Sequence, residues 1–426
     1  MFLGSVAINC AVAWALGSTQ ILSGEETSVS IRDPLFLELR TQFDPICTNI
    51  ASHLFYWLGQ RLLPEPSLFF GRFQKALAMG LVPVFTALYI ARLRPASRDV
   101  ALLAAALLAL MPGFYLFAPL ATEYGLECVT GTAALWLATS ERARGRWLSA
   151  PLASWTALTY GAGLAFLPAT VWQLFASERG RAPSARAALL WLGGFAAPWL
   201  VPFIIWKNDP QLLVGGGSVS TLPIVLHHFT QLAWEASVRG GSYYYFAEQP
   251  ALSQPVLALA VLIALIVSAT RREHVPVVLG WLAAVSIYVL SGREIGMRRG
   301  VPIVVFSVMA LGLAWPRLRD ALRHLRGPHA LLRAAAVACF VICAFQLGAS
   351  LQRFSTGAWR VPLDFDFRVL PGATMPQTYR YLLAHPEVID ATYEPERTWA
   401  VLRMLAGDSP HADLFSSQAI AKRLLP

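Results

Sequence analysis

Apolar residues run along this chain in blocks of membrane length, separated by short arginine-rich segments and by three longer mixed stretches. Runs of roughly 20 apolar residues cross a bilayer as helices, because a helix satisfies its own backbone amides where no water can. The pattern predicts such helices at about 2–22, 68–91, 99–120, 123–139, 187–206, 253–270, 275–291, 300–315 and 331–349. A further run, 148–177, carries Tyr160-Gly161-Ala162-Gly163 near its middle. At about 30 residues it is too long for one straight span and short for two full ones.

Charge resolves that run. Arg and Lys collect in the short cytoplasmic loops of membrane proteins. With the N-terminus inside, the inner segments 92–98, 141–146, 178–186, 271–272 and 317–333 hold 16 basic residues, and the opposing loops hold 8. The loops on both sides of 148–177 are basic, so the run must enter and return, as two short helices meeting near Gly161 and Gly163. The expected fold is therefore all-α: a polytopic membrane bundle of about 11 transmembrane or part-crossing helices. Residues 1–349 form the membrane domain, with outer loops 23–67 and 207–252, and residues 350–426 form a small extracytoplasmic C-terminal segment.

Composition agrees. The chain is 56% hydrophobic and 14% charged, where soluble domains carry about 25% charged residues. Its net charge of +9 follows from the loops and builds no contiguous basic face, so nucleic acid is not an expected partner. The five cysteines show no CxxC spacing, and neither a disulfide framework nor a zinc site is expected. The first run lacks a basic leader and a cleavage site, and reads as a retained span. No Walker loop, GxSxG or dinucleotide fingerprint is present, which argues against a cytosolic nucleotide-driven enzyme.

Every inner loop is short while the outer side carries the large segments, so function is expected on the outer face. Segment 30–49 holds Asp33, Glu38 and Asp44, with two Asp-Pro steps that read as helix starts. Asp33 suits either a general base acting on an acceptor hydroxyl or an N-cap for the helix opening at Pro34. Asp44 reads as a cap and Glu38 as a solvated or paired residue. The short outer link 119–127 adds Glu123 and Glu127, four apart on one helix face. Glu127 lies a turn deeper, where a carboxylate needs a partner or a function. Loop 291–300 carries Arg293, Arg298 and Arg299 against the positive-inside trend. Their guanidinium forks suit phosphate oxygens, or pair with nearby acids. Arg72 and Lys75, at the outer start of the second span, are candidates of the same kind. Tyr243 and Tyr244, in a run of aromatics, could stack on sugar rings or belong to an interfacial belt. His227 and His228 sit on an expected helix, Leu222 to Trp234, without a third metal ligand.

With these residues in place, the layout resembles the GT-C superfamily of polytopic glycosyltransferases. Protein O-mannosyltransferases and the aminoarabinose transferases that modify lipid A belong to it. The likeness rests on the first outer loop with Asp33 before short helices, on Glu123 in the second, and on the helix pair around Tyr160-Gly161-Ala162-Gly163. It covers residues 1–206. The chain departs from the pattern where members often carry an Asp-Glu or Asp-Asp pair and here Pro34 follows Asp33. It departs again near Leu167-Pro168, where a lysine is common. The resemblance implies transfer of a sugar from a polyprenyl-phosphate donor to a lipid, glycan or protein acceptor on the extracytoplasmic side. Asp33 would be the catalytic base, Glu123 would support the acceptor, and Arg298, Arg299 or Arg293 would hold the donor phosphate. Glu127, Tyr243 and Tyr244 would line the substrate site. Some relatives use a divalent metal; the residues here assign none, and no cofactor is expected. The location implied is a bacterial inner membrane, with the N-terminus inside and the tail outside. Two other readings use the same residues: a transporter or flippase for a lipid-linked or amphipathic substrate, and a non-catalytic scaffold that docks a partner through its outer loops.

Overall fold

The computed structural model describes residues 1–16, 50–60, 62, 68–120, 122, 124–177, 185–200, 221–238, 249–290, 297–322 and 328–356. Among these residues the structure is all-helical, with no strand. The chain forms α1 (Phe2–Leu16), α2 (Ile50–Gln60), α3 (Leu68–Met79), α4 (Leu81–Leu93), α5 (Arg98–Leu110) and the single turn α6 (Pro112–Tyr115). It continues through α7 (Glu127–Ala138), α8 (Ala143–Thr159), α9 (Phe166–Ser177), α10 (Ala185–Ala196), α11 (Leu222–Ser237), α12 (Pro255–Ala269), α13 (Val275–Leu290), α14 (Val301–Leu322) and α15 (Pro328–Thr356). Three stretches are long and apolar enough to cross a membrane: Phe69–Leu93, Val301–Ala321 and Ala334–Ser355. Phe2–Ala15, Pro255–Ala269 and Val275–Leu290 are shorter apolar helices.

Local sequence explains the breaks. The expected span at 99–120 stops as a regular helix at Leu110, because the ring of Pro112 disfavours helical backbone at Met111; Met111 is extended and Pro112 opens the next turn. Pro255 likewise opens α12, where its missing amide costs no hydrogen bond. The run 148–177 folds as two helices, as its length and flanking charges predict: α8 begins early, at Ala143, and a 3₁₀ turn at Gly161–Ala165 joins it to α9. At Gly163 a Cβ would run into the carbonyl oxygen of Thr156, so the return path demands glycine. Gly163→Ala should cost about 1–3 kcal/mol as overpacking, read as a lowered Tm of the full chain in detergent. Gly193→Ala, where a Cβ meets nothing within 4 Å, should leave Tm unchanged or raised.

α14 is the central helix: every residue from Val301 to Ala310 is buried. Its Phe306 packs on Phe166 of α9 with ring centroids 4.7 Å apart. α15 is peripheral and is held by a polar clasp. The Tyr115 hydroxyl donates to Gln249 Oε1 at 2.7 Å and lies 3.1 Å from Ser350 Oγ. Ser253 Oγ donates to Gln346 Oε1 at 2.7 Å, and Gln346 Nε2 returns a bond to the Ser253 carbonyl at 3.1 Å. Such bonds hold helices together where apolar contact with lipid would serve equally well.

One end of the bundle carries a charged clasp. Arg94, just past α4, donates from Nη2 to His274 Nε2 at 3.0 Å and pairs with Glu273 Oε1 at 3.3 Å. His274 lies in the turn between α12 and α13. Burial first, then Arg94 and Arg271, push its pKa down from 6.5 to about 4. The neutral ring therefore accepts from Arg94 through Nε2. An unfolded chain takes up a proton on this histidine near pH 6.5 and the folded one only near pH 4, so folding loses stability as pH falls across that window. His274→Gln keeps an acceptor and never ionises; it should flatten the decline of Tm between pH 6.5 and 4.

Candidate functional site

At the opposite end of the Phe69–Leu93 stretch, the chain buries two cations. Arg72 and Lys75 are three residues apart on α3, hence on one helix face, and both side chains are fully buried. Lys75 Nζ donates to the carbonyl of Tyr124 at 2.6 Å and to Thr122 Oγ1 at 3.3 Å. The hydroxyl of Tyr56 on α2 donates to the Thr122 carbonyl at 2.9 Å. α2, α3 and the link before α7 thus converge on one buried polar node. Asn9 of α1 braces the same helix, donating to the Ala76 carbonyl at 3.2 Å.

The link reaches α7 through Gly125, whose φ of +86° is a left-handed conformation that glycine adopts without strain. A Cβ there would press on Met79 and on Val301. Glu127 follows in the first turn of α7, fully buried, where the helix N-terminus favours its negative charge. Tyr124 meets Tyr160 edge-on, with centroids 5.0 Å apart. The Arg299 guanidinium stands 5.9 Å from the centroid of the Tyr160 ring, at the outer range of a cation–π contact. Arg299 lies in the turn Met297–Gly300 that leads into α14. A cationic helix face, a buried carboxylate, two tyrosines and an arginine therefore gather where α3, α7, the 161–165 turn and the start of α14 meet.

Of the residues expected from sequence, Glu127 and Arg299 fall in this region. Arg298 lies in the same turn as Arg299, with its side chain outside the described residues. Asp33, Glu38, Asp44, Glu123, Arg293, Tyr243 and Tyr244 also lie outside them, as do the tail beyond 356 and most of the first outer loop. Arg72 and Lys75 take a larger part than their sequence position suggested. Tyr160, read there only as part of a hinge, is a wall of the site. The signal for the cations was present: two basic residues one turn apart inside an otherwise apolar span.

A second buried carboxylate stands on α11. Glu235 accepts from the Tyr288 hydroxyl at 2.9 Å and from Gln231 Nε2 at 2.9 Å. His228, one face with it, contacts the Val289 carbonyl through Nδ1 at 3.1 Å. Among the described residues, no group of three or more His, Cys, Asp or Glu side chains is placed to share a metal ion. Cys10, Cys128, Cys339 and Cys343 are free. Among the described residues, the fold and these clusters define an all-helical protein with three helices long and apolar enough to cross a membrane and two buried cations, Arg72 and Lys75, near one end. In comparison with known proteins, the chain matches no family model and no curated sequence.

Proposed function

We propose that this protein is a membrane glycosyltransferase of the GT-C plan, with about 11 crossings or part-crossings and its site on the extracytoplasmic face. The observation that carries the reading is the buried Arg72–Lys75 face beside Glu127 and Arg299. Cations taken out of water at the end of a span cost several kcal/mol each unless anionic or hydrogen-bonding groups face them. Both cations have partners within the fold, and a lipid-linked phosphate at that depth would add an anionic one, with its apolar tail left in the bilayer. Arg72 and Lys75 join Arg298, Arg299 and Arg293 as the residues that would receive it.

In the reaction, the bond between the anomeric carbon and the donor phosphate oxygen breaks, and a bond from the acceptor hydroxyl oxygen to that carbon forms. The acceptor proton passes to the carboxylate of Asp33, oriented with help from Glu123, and the polyprenyl phosphate departs as an anion. Buried cations favour that departure because its charge grows in the transition state. Glu127, Tyr243 and Tyr244 would line the sugar and acceptor side, and no metal is assigned a step. The test is release of polyprenyl phosphate from a panel of polyprenyl-phosphate pentoses and hexoses by the full chain in nanodiscs. Transfer or slow hydrolysis of one donor supports the reading; binding without bond cleavage across the panel overturns it.

A further inference from the structure

We infer that the turn between α12 and α13, with the outward face of α12, binds one anionic phospholipid: Arg317 and Arg271 hold its phosphate and an acyl chain lies along α12. The apolar half of the site comes from a single helix. Val256, Leu259, Ile263 and Ile266 recur every three or four residues and fall within about 80° of one another around the axis. All four are exposed, Val256 at 69% and Ile266 at 68%. Between Pro255 and Ala269 the helix is apolar except for Ser268, which is buried, so hydrocarbon meets no polar group on this face. From Val256 to Ile266 the stripe runs about 15 Å. That is half of the roughly 30 Å hydrocarbon core, the depth of one leaflet.

The next position at the same spacing is Thr270, where the helix ends. Its hydroxyl accepts from Arg317 Nη1 of α14 at 3.1 Å, so a guanidinium from another helix is fixed where the apolar stripe stops. Arg271 and Arg272 follow at once in the turn, and the charge of Arg271 reaches the ring of His274. The turn is braced, since the Arg271 carbonyl accepts from the amides of His274 and Val275 at 2.9 and 3.1 Å. Glu273, the one acid between 268 and 275, pairs with Arg94 at 3.3 Å. Asp320, nearly one turn beyond Arg317, stands 3.7 Å from Arg319. The surplus at the end of the stripe is positive, and its complement is an anion. Trp172 of α9 marks the depth: its ring is 40% exposed and its Nε1 donates to the Arg272 carbonyl at 3.4 Å. An open indole with its N–H bonded suits the headgroup boundary. Basic pockets between helices at that level receive lipid phosphates. A free phosphate would use the arginines alone and leave the stripe uncovered; a phospholipid uses both.

The test is retention of dioleoyl phosphatidylglycerol by the full chain in detergent, read by native mass spectrometry against dioleoyl phosphatidylcholine. One molecule of phosphatidylglycerol should bind at a concentration about tenfold or more below that needed for phosphatidylcholine. Arg317→Gln and Arg271→Gln should each weaken its binding about tenfold, the loss of one charge-assisted hydrogen bond. Ile266→Ser should weaken it severalfold through lost acyl contact. Arg144→Gln, at an exposed arginine of the basic segment 141–146, should leave it unchanged. Three results overturn the inference: equal retention of the two lipids, a loss in Arg144→Gln as large as in Arg317→Gln, or displacement of the lipid by millimolar inorganic phosphate. The first removes the charge preference, the second makes the attraction diffuse, and the third assigns a free anion. Where Arg317→Gln fails to fold, a photoreactive benzoylphenylalanine at Ile266 serves in the otherwise unchanged chain. It should form adducts with phosphatidylglycerol in preference to phosphatidylcholine, and equal adducts would refute the site.

Discussion

Asp33→Asn should reduce sugar transfer about 10²–10⁴-fold, the usual contribution of a positioned general base, while the protein still folds and binds donor. The choice of Asn matters because Asp33 has two possible duties. Asparagine caps a helix as well as aspartate does, so the start at Pro34 is kept, but its amide cannot take the acceptor proton. Asp33→Ala removes both, and loses about 1 kcal/mol of stability in addition. Turnover of polyprenyl phosphate by nanodisc samples matched for folded protein measures the first effect, and Tm in detergent the second. Equal turnover by wild type and Asp33→Asn would leave Asp33 as a cap alone.

Lys75→Met should raise the KM for the lipid-linked donor about 10–100-fold, the loss of one charge-assisted hydrogen bond at roughly 1.5–3 kcal/mol. The variant fills a similar volume but has no donor, so the Tyr124 carbonyl and Thr122 hydroxyl lose the bonds that Lys75 makes. That costs about 1–3 kcal/mol of stability in its own right. The two losses separate experimentally. A purely structural lysine would lower Tm and the active fraction while KM of the surviving enzyme stayed the same. A phosphate-binding lysine raises KM at constant folded fraction, and raises it further for a donor diphosphate than for a monophosphate. Unchanged KM would move the donor phosphate to the arginines of loop 291–300.

These two residues mark the limits of reading the chain by itself. Asp33 stood out because it follows an apolar run of membrane length in a sequence with only 25 acidic residues. Lys75 stood out less, since a basic residue six positions into the Phe69–Leu93 stretch can either snorkel to water or be enclosed. Enclosure comes from Tyr56 and from the 122–124 link, groups 19 and 47 positions away in the chain. Glu127 shows the opposite case: placed a turn below the outer link by the sequence, it called for a partner or a function, and it is buried as the first residue of α7. Tyr160 was legible as a break and not as a contact, because its neighbours Tyr124 and Arg299 come from two other parts of the chain.

What sequence alone determined is what depends on local periodicity, length and composition. The all-helical class, the membrane-length apolar stretches and the split of 148–177 into two helices follow from segment length, composition and from backbone amides that must bond within their own segment. The helix expected from Leu222 to Trp234 was visible in the same way, and it forms α11. Only the tertiary structure decided that His228 and Glu235 of α11 meet Val289 and Tyr288 of α13, that Arg94 reaches Glu273 and His274, and that Arg72 and Lys75 are buried, with Lys75 bonded to the link before α7. The physical reason is the same for all three. A helix in a membrane can present any of its faces to lipid or to protein, and the choice belongs to neighbours far away in the chain.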